Sequence, residues 1–229
     1  MEPVVSIATE NFIKAIYKFE HRKSHGIKPG FIARELGITN AAATDMARKL
    51  AHKKLIDYIK YKELKLTPNG KKMALSILRK HRLWETFLYQ VFGLTMHEIH
   101  QEAELLEHLT SDFLADKISL FLGNPTTDPH GDPIPDEKGT VLSDKSSVML
   151  SLGEPGKKYE ITRLSGSDKE FFDFCQSSHL TIGSALTLKK QYKQTGMTEI
   201  EADNVTLLLN TELANNIYIK KLSKDSAKL

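Results

Sequence analysis

Phe31-Ile-Ala-Arg-Glu-Leu-Gly-Ile-Thr-Asn-Ala-Ala-Ala-Thr-Asp-Met-Ala-Arg-Lys-Leu50 decides the fold of the first third of the chain. Residues 31–36 spell a short helix, and Gly37 supplies its C-terminal cap, where the backbone turns left-handed. Thr39 or Asn40 can cap a second helix carrying Ala41, Ala42, Ala43, Met46, Ala47 and Leu50. Upstream, Ile7, Phe12, Ile13, Ile16, Tyr17 and Phe19 recur near helical spacing, and the Gly- and Pro-containing stretch 23–30 breaks that helix. Downstream, residues 55–66 are rich in β-formers and read as a two-stranded hairpin; Thr67-Pro-Asn-Gly70 then turns into a helix over 71–90. Helix, short helix, tight turn, helix, hairpin is the order of a winged helix-turn-helix, which sets its second helix in the major groove of DNA.

Charge supports that reading. The 229 residues carry a net +3, but residues 1–80 hold 17 Lys/Arg against 7 Asp/Glu, and residues 81–229 hold 15 against 22. A basic first third suits the phosphates of DNA; an acidic remainder suits cations, or simply solubility. The length allows two or three small domains, and 40% hydrophobic with 27% charged residues is ordinary for a globular protein. No apolar run approaches the roughly 20 residues of a membrane span, and no signal pattern opens the chain, so a cytoplasmic protein without membrane contact is expected. The single cysteine, Cys175, excludes an internal disulfide framework.

After Gly93, Thr95 and Glu98 have capping-box spacing, and a helix is expected from there to about residue 122. Five prolines among residues 125–155 mark a linker. From about Ser143 short β-rich runs follow (159–164, 185–188, 205–209, 216–219), the pattern of a small β-barrel.

Between these parts lie His81-Arg-Leu-Trp-Glu85 and His100-Gln-Glu-Ala-Glu104-Leu-Leu-Glu107-His108. At 100° per residue His100, Glu104, Glu107 and His108 fall within an arc of about 100°, while Ile99, Ala103, Leu106, Leu109 and Phe113 face elsewhere. His81 and Glu85 form another i, i+4 pair. Adjacent carboxylates repel unless a cation joins them, and mixed His/Glu donors without thiolate suit Mn²⁺, Fe²⁺, Co²⁺ or Zn²⁺. A solvated acidic face is the bland alternative. Glu98 reads as a cap, and His97 as its neighbour in the first turn.

On Thr9–Tyr17, Arg79–Glu85, His100–His108, Gly123–Pro135 and Leu180–Ser184 together, the chain resembles the DtxR/MntR family of metal-dependent transcriptional regulators over essentially its whole length. The resemblance implies a mainly α protein with a small β domain. Its parts would be a winged helix-turn-helix (1–73), a helical dimerisation and metal-binding domain with a Pro-rich linker (74–142), and an SH3-like, FeoA-type β-barrel (143–229). It implies a homodimer that binds a palindromic double-stranded DNA operator when Mn²⁺ or Fe²⁺ is bound, with two metal sites per chain and no small organic substrate. The primary site would use Asn11, Glu104, Glu107 and His108. The ancillary site would use His81, Glu85 and His100, with Asp168 or Glu170 from the β domain. Three positions depart from relatives: Asn11 replaces Met or Asp, Glu104 replaces the Cys of the iron-responsive branch, and Lys14 replaces an acidic ligand of the manganese branch.

Base contacts are expected from Thr39, Asn40, Ala41, Ala42, Thr44 and Asp45, with Arg34, Arg48, Lys49, Lys60 and Lys62 on phosphates. A winged-helix regulator answering a non-metal signal is the alternative. A hydrolase is excluded by the want of HExxH, Gly-x-Ser-x-Gly or a phosphate-cradling Gly loop.

Overall fold

A computed structural model describes residues 6–22, 27–58, 63–142, 144, 146–166 and 168–222. Its contacts divide into two units. One runs up to Leu83 and takes in Ala103–Phe121 and Pro135–Thr140; the other comprises Trp84–Glu102, Leu122–Ile134 and the chain from Val141 onward.

In the first unit, α1 (Ile7–Arg22), α2 (Pro29–Glu35) and α3 (Asn40–His52) precede a hairpin of β1 (Ile56–Tyr58) and β2 (Leu64–Leu66). Gly37 has φ +62°, as the cap requires, and Thr39 caps α3 by accepting from Ala42 N at 3.1 Å. Phe12, Ile13 and Ile16 of α1 pack on α2, α3 and β2, and are fully buried with Ile32, Leu50 and Leu64. Each such side chain contributes about 1.5–3 kcal/mol relative to exposure. At the far end of α1, Glu20 Oε1 accepts from Leu66 N at 3.0 Å, which ties the hairpin to that helix. This is the winged helix-turn-helix read from the sequence.

The helix α4 (Pro68–Phe92) follows, then α5 (Met96–Leu106) and α6 (Asp112–Phe121). The single helix expected from Thr95 to residue 122 is therefore wrong: it breaks after Leu106. Thr110 Oγ1 bonds Leu106 O at 2.7 Å, and Ser111 Oγ accepts from Leu114 N at 3.2 Å. Hydroxyls at consecutive positions end one helix and begin the next, which a wheel drawn through 100–108 ignores. Glu107 N still bonds Ala103 O at 3.0 Å, but His108 lies in the turn beyond. The capping box is present: Thr95 N donates to Glu98 Oε2 at 2.8 Å, and Glu98 N to Thr95 Oγ1 at 3.4 Å.

The second unit ends in a six-stranded antiparallel sheet. Its strands are β3 (Val148–Met149), β4 (Lys157–Leu164), β5 (Ala185–Tyr192), β6 (Met197–Ala202), β7 (Val205–Leu209) and β8 (Ile217–Lys221), in the order β3-β8-β4-β5-β6-β7. The core of this sheet holds Leu150, Ile161, Leu188, Ile200, Leu209 and Ile219, closed by Phe171, Phe172 and Cys175 of α7 (Lys169–Ser177). A short α8 (Thr211–Asn216) leads into β8. The Pro-rich segment is ordered against this sheet: Leu164 N donates to His130 O at 2.9 Å, and Arg163 reaches Asp132 at 3.2 Å.

Gly70 starts α4 beneath the hairpin, and a Cβ there would lie 1.9 Å from Leu55 O. Gly70→Ala is expected to destabilise the fold by about 2 kcal/mol through forced backbone movement, measured by thermal or urea unfolding.

Candidate metal centre and nucleic-acid face

Glu10, Asn11 and Lys14 lie on α1, His81 on α4, Glu104 on α5, and Glu107 and His108 in the turn after α5. The Glu107 side chain is 0% exposed. It accepts from Lys14 Nζ on Oε1 at 2.5 Å and from His81 Nδ1 on Oε2 at 2.7 Å. Lys14 also donates to Glu104 Oε1 at 2.8 Å. Burial opposes the Glu104 charge, but Lys14, His81 and Lys18 outweigh it and hold the carboxyl at about 2.

His108 Nδ1 donates to Glu10 Oε2 at 2.5 Å. That bond fixes the ring so that Nε2 presents its lone pair. Nε2 is buried, lies 3.2 Å from Glu107 Oε1, and makes no hydrogen bond. Asn11 Oδ1 is likewise buried without a hydrogen-bond partner. Buried polar atoms are almost always satisfied, so two orphans that are both lone-pair donors need explaining. A divalent cation of intermediate hardness is satisfied by an amide oxygen, an imidazole nitrogen and carboxylates, and these residues fit one.

A second group gathers in the other unit. Glu85, Asp128 and His130 are all buried, with one ligand atom from each within 4.8 Å of the others. His130 Nε2 donates to Met96 O at 3.3 Å, which turns Nδ1 toward Glu85 Oε2 at 3.5 Å. Burial disfavours a charged His130, yet Glu85, Asp128 and Asp132 raise its pKa on balance, the mark of a site with excess negative charge. His100 Nδ1 donates to Glu85 Oε1 at 3.0 Å. The loop shape comes from Asp128, whose Oδ1 accepts from His130 N and Asp132 N, both at 2.9 Å.

The structure thus regroups the residues read from the sequence. Glu104 and Glu107 share Lys14, His81 also meets both, and His108 Nε2 lies 3.2 Å from Glu107 Oε1. Glu85 keeps His100 but gains Asp128 and His130. Asp168 is exposed and caps α7 by accepting from Phe171 N at 2.8 Å, and Glu170 is exposed in that helix's first turn. Sequence reading missed Glu10, Asp128 and His130. The last two stood in the Gly123–Pro135 stretch that carried the resemblance but was read as a linker.

Of the nucleic-acid candidates, Arg34, Thr39, Asn40, Ala41, Ala42, Asp45, Arg48 and Lys49 are exposed, and Thr44 is half-buried with its hydroxyl on Asn40 O at 2.8 Å. Asp45 is paired with Lys49 at 2.8 Å. Lys60 and Lys62 lie outside the described residues.

A winged helix-turn-helix followed by a buried His/Glu/Asn centre defines a class, the metal-responsive transcriptional regulators. Residues 5–64 match the iron dependent repressor N-terminal DNA binding domain, 67–136 the iron dependent repressor metal binding and dimerisation domain, and 148–221 the FeoA domain. The chain is 26% identical to the diphtheria toxin repressor of Corynebacterium efficiens over 225 residues, 93% of this chain and 95% of that one. It is 34% identical to the iron-dependent repressor IdeR of Mycobacterium leprae over 125 residues, 54% of this chain and 53% of that one. A manganese-dependent transcriptional repressor solved in complex with manganese superposes with a TM-score of 0.88 at 30% identity, covering 93% of this chain and all of the other. The chain belongs to the DtxR/MntR family of metal-dependent transcriptional repressors, which are regulators and not enzymes. The β domain is the family's SH3-like FeoA domain. Among the described residues no helix is long and apolar enough to cross a membrane.

Glu10→Gln is expected to weaken metal binding about 10- to 100-fold by freeing the His108 ring, measured by competition with a chelating dye. In the metal-free protein the depressed Glu104 carboxyl adds stability that is fully present above its ordinary 4.5 and is lost as pH falls toward 2. Glu104→Gln is expected to flatten the pH dependence of unfolding in that window.

Proposed function

We propose that the chain senses Mn²⁺ or Fe²⁺ and, as a homodimer, represses transcription from a palindromic operator in the cytoplasm. The observation that carries this reading is that two buried lone-pair atoms, Asn11 Oδ1 and His108 Nε2, make no hydrogen bond beside the buried Glu107. Asn11, Glu104, Glu107 and His108 would hold the primary ion. The oxygen-rich donor set favours Mn²⁺ and Fe²⁺ by hardness, and the relatives' named dependence on manganese or iron agrees. Bound there, the ion supplies positive charge and fixed coordination directions. Glu85, Asp128 and His130, with His100, would hold a second ion. Asp168 and Glu170 are not needed for that set.

The protein's own groups transmit the event. Asn11 sits near the start of α1, and Glu20 near its end holds the hairpin strand β2. Ligation of Asn11 together with Glu104, Glu107 and His108 fixes α1 against the turn after α5, and with α1 the DNA-binding unit. In a dimer this sets the recognition helices about 34 Å apart, or a multiple of that, to match successive major grooves. Thr39, Asn40, Ala41, Ala42, Thr44 and Asp45 would face bases, and Arg34, Arg48, Lys49, Lys60 and Lys62 phosphates. The functional parts are residues 1–73 for DNA, 74–142 for metal and dimerisation, and 143–229 for the SH3-like domain.

Operator binding titrated anaerobically with Mn²⁺, Fe²⁺, Co²⁺ and Zn²⁺ tests the reading. Glu107→Ala with His108→Ala is expected to abolish the metal-dependent part. Metal-dependent binding of wild-type strength in that double variant overturns it.

A further inference from the structure

Lys14 is the feature that the proposed function does not use. It lies three residues after Asn11 on α1, so the two side chains share a face of the helix. Its own side chain is 6% exposed. Its ammonium bonds Glu104 Oε1 at 2.8 Å and Glu107 Oε1 at 2.5 Å, the two carboxylates assigned to the primary ion. A lysine is almost never buried to this degree unless paired, and here both carboxylates that it bonds are candidate ligands.

We propose that Lys14 is an internal counter-cation that competes with the metal for Glu104 and Glu107, and so sets the concentration at which the regulator responds. This rests on the assignment of the primary site made above. The electrostatics follow from the charge count. Glu104 and Glu107 share the one Lys14 ammonium, with His81 Nδ1 also on Glu107, and the remaining donors Asn11 and His108 add no carboxylate. A divalent ion bonds carboxylate oxygen at about 2.0–2.2 Å, close enough to repel an ammonium that shares the same oxygens. Uptake is therefore an exchange: the ion gains Glu104 and Glu107, and Lys14 gives up at least one of its two bonds. In the metal-free protein Lys14 spares Glu107 the cost of a buried charge without a cation, so the empty state is itself a folded and satisfied one. The same exchange makes the site selective for charge density, because an ion must outbid an ammonium already in place.

The test is Mn²⁺ affinity by chelator competition for wild type, Lys14→Met and Lys14→Gln, each checked for folding by circular dichroism. Removal of the charge is expected to tighten binding by about tenfold or more while lowering the melting temperature of the metal-free chain. Folded variants with unchanged or weaker affinity overturn the proposal. If neither variant folds, wild-type protein with ¹⁵N-lysine decides. A slowly exchanging Lys14 ammonium resonance, assigned by its loss in Lys14→Arg, is expected without metal and should vanish into the free-lysine envelope on one equivalent of Cd²⁺. A resonance that stays put overturns the proposal. A wild-type chain that takes up no ion overturns the site assignment itself, which is a distinct failure.

Discussion

Glu107 is the constraint on which the metal-binding half depends. A carboxylate removed wholly from water is tolerated only when its oxygens are occupied, and an unpaired one would shift its pKa or unfold its surroundings. Here Lys14 comes from α1, His81 from α4, and Glu107 itself from the turn after α5. Three elements distant in sequence are held together by the need to neutralise one charge. The break after Leu106 follows the same logic, since His108 reaches Glu10 only from the turn beyond the helix.

What was legible in the sequence was what local rules decide. Gly37, Thr39 and the Thr95–Glu98 box are capping signals whose partners lie within a few residues, and each acts as read. The grouping of Glu104, Glu107 and His108 was legible because spacing and family resemblance coincided. Glu10 was not, because its partner lies 98 positions away and nothing around it has a period. Asp128 and His130 were missed for a different reason. Prolines and the loss of periodicity signal only the absence of helix and strand, and by that signal a linker and an ordered loop are alike. Yet Asp128 organises its turn through two backbone amides, and both side chains are buried.

That ordered segment changes how the SH3-like domain is understood. His130 O accepts from Leu164 N, Asp132 holds Arg163, and the His130 ring lies 5.1 Å from that of Phe172. Arg163 in turn stacks 3.5 Å over Tyr218. The loop that carries Asp128 and His130 is thus held against the end of β4 and against α7, so folding of the β domain and assembly of the Glu85, Asp128 and His130 cluster are coupled.

The helix α1 bears Asn11, the proposed donor, near one end and holds the hairpin near the other. From Asn11 to Glu20 the rise is roughly 14 Å at 1.5 Å per residue. A rigid rod of that length is a lever: pivoting it by about 10° at Asn11 swings the hairpin by about 2 Å, several times the roughly 0.5 Å spread of hydrogen-bond lengths. Atomic adjustments too small to alter the core around Phe12 and Ile16 are therefore enough to bring a wing into register with a groove, or to take it out.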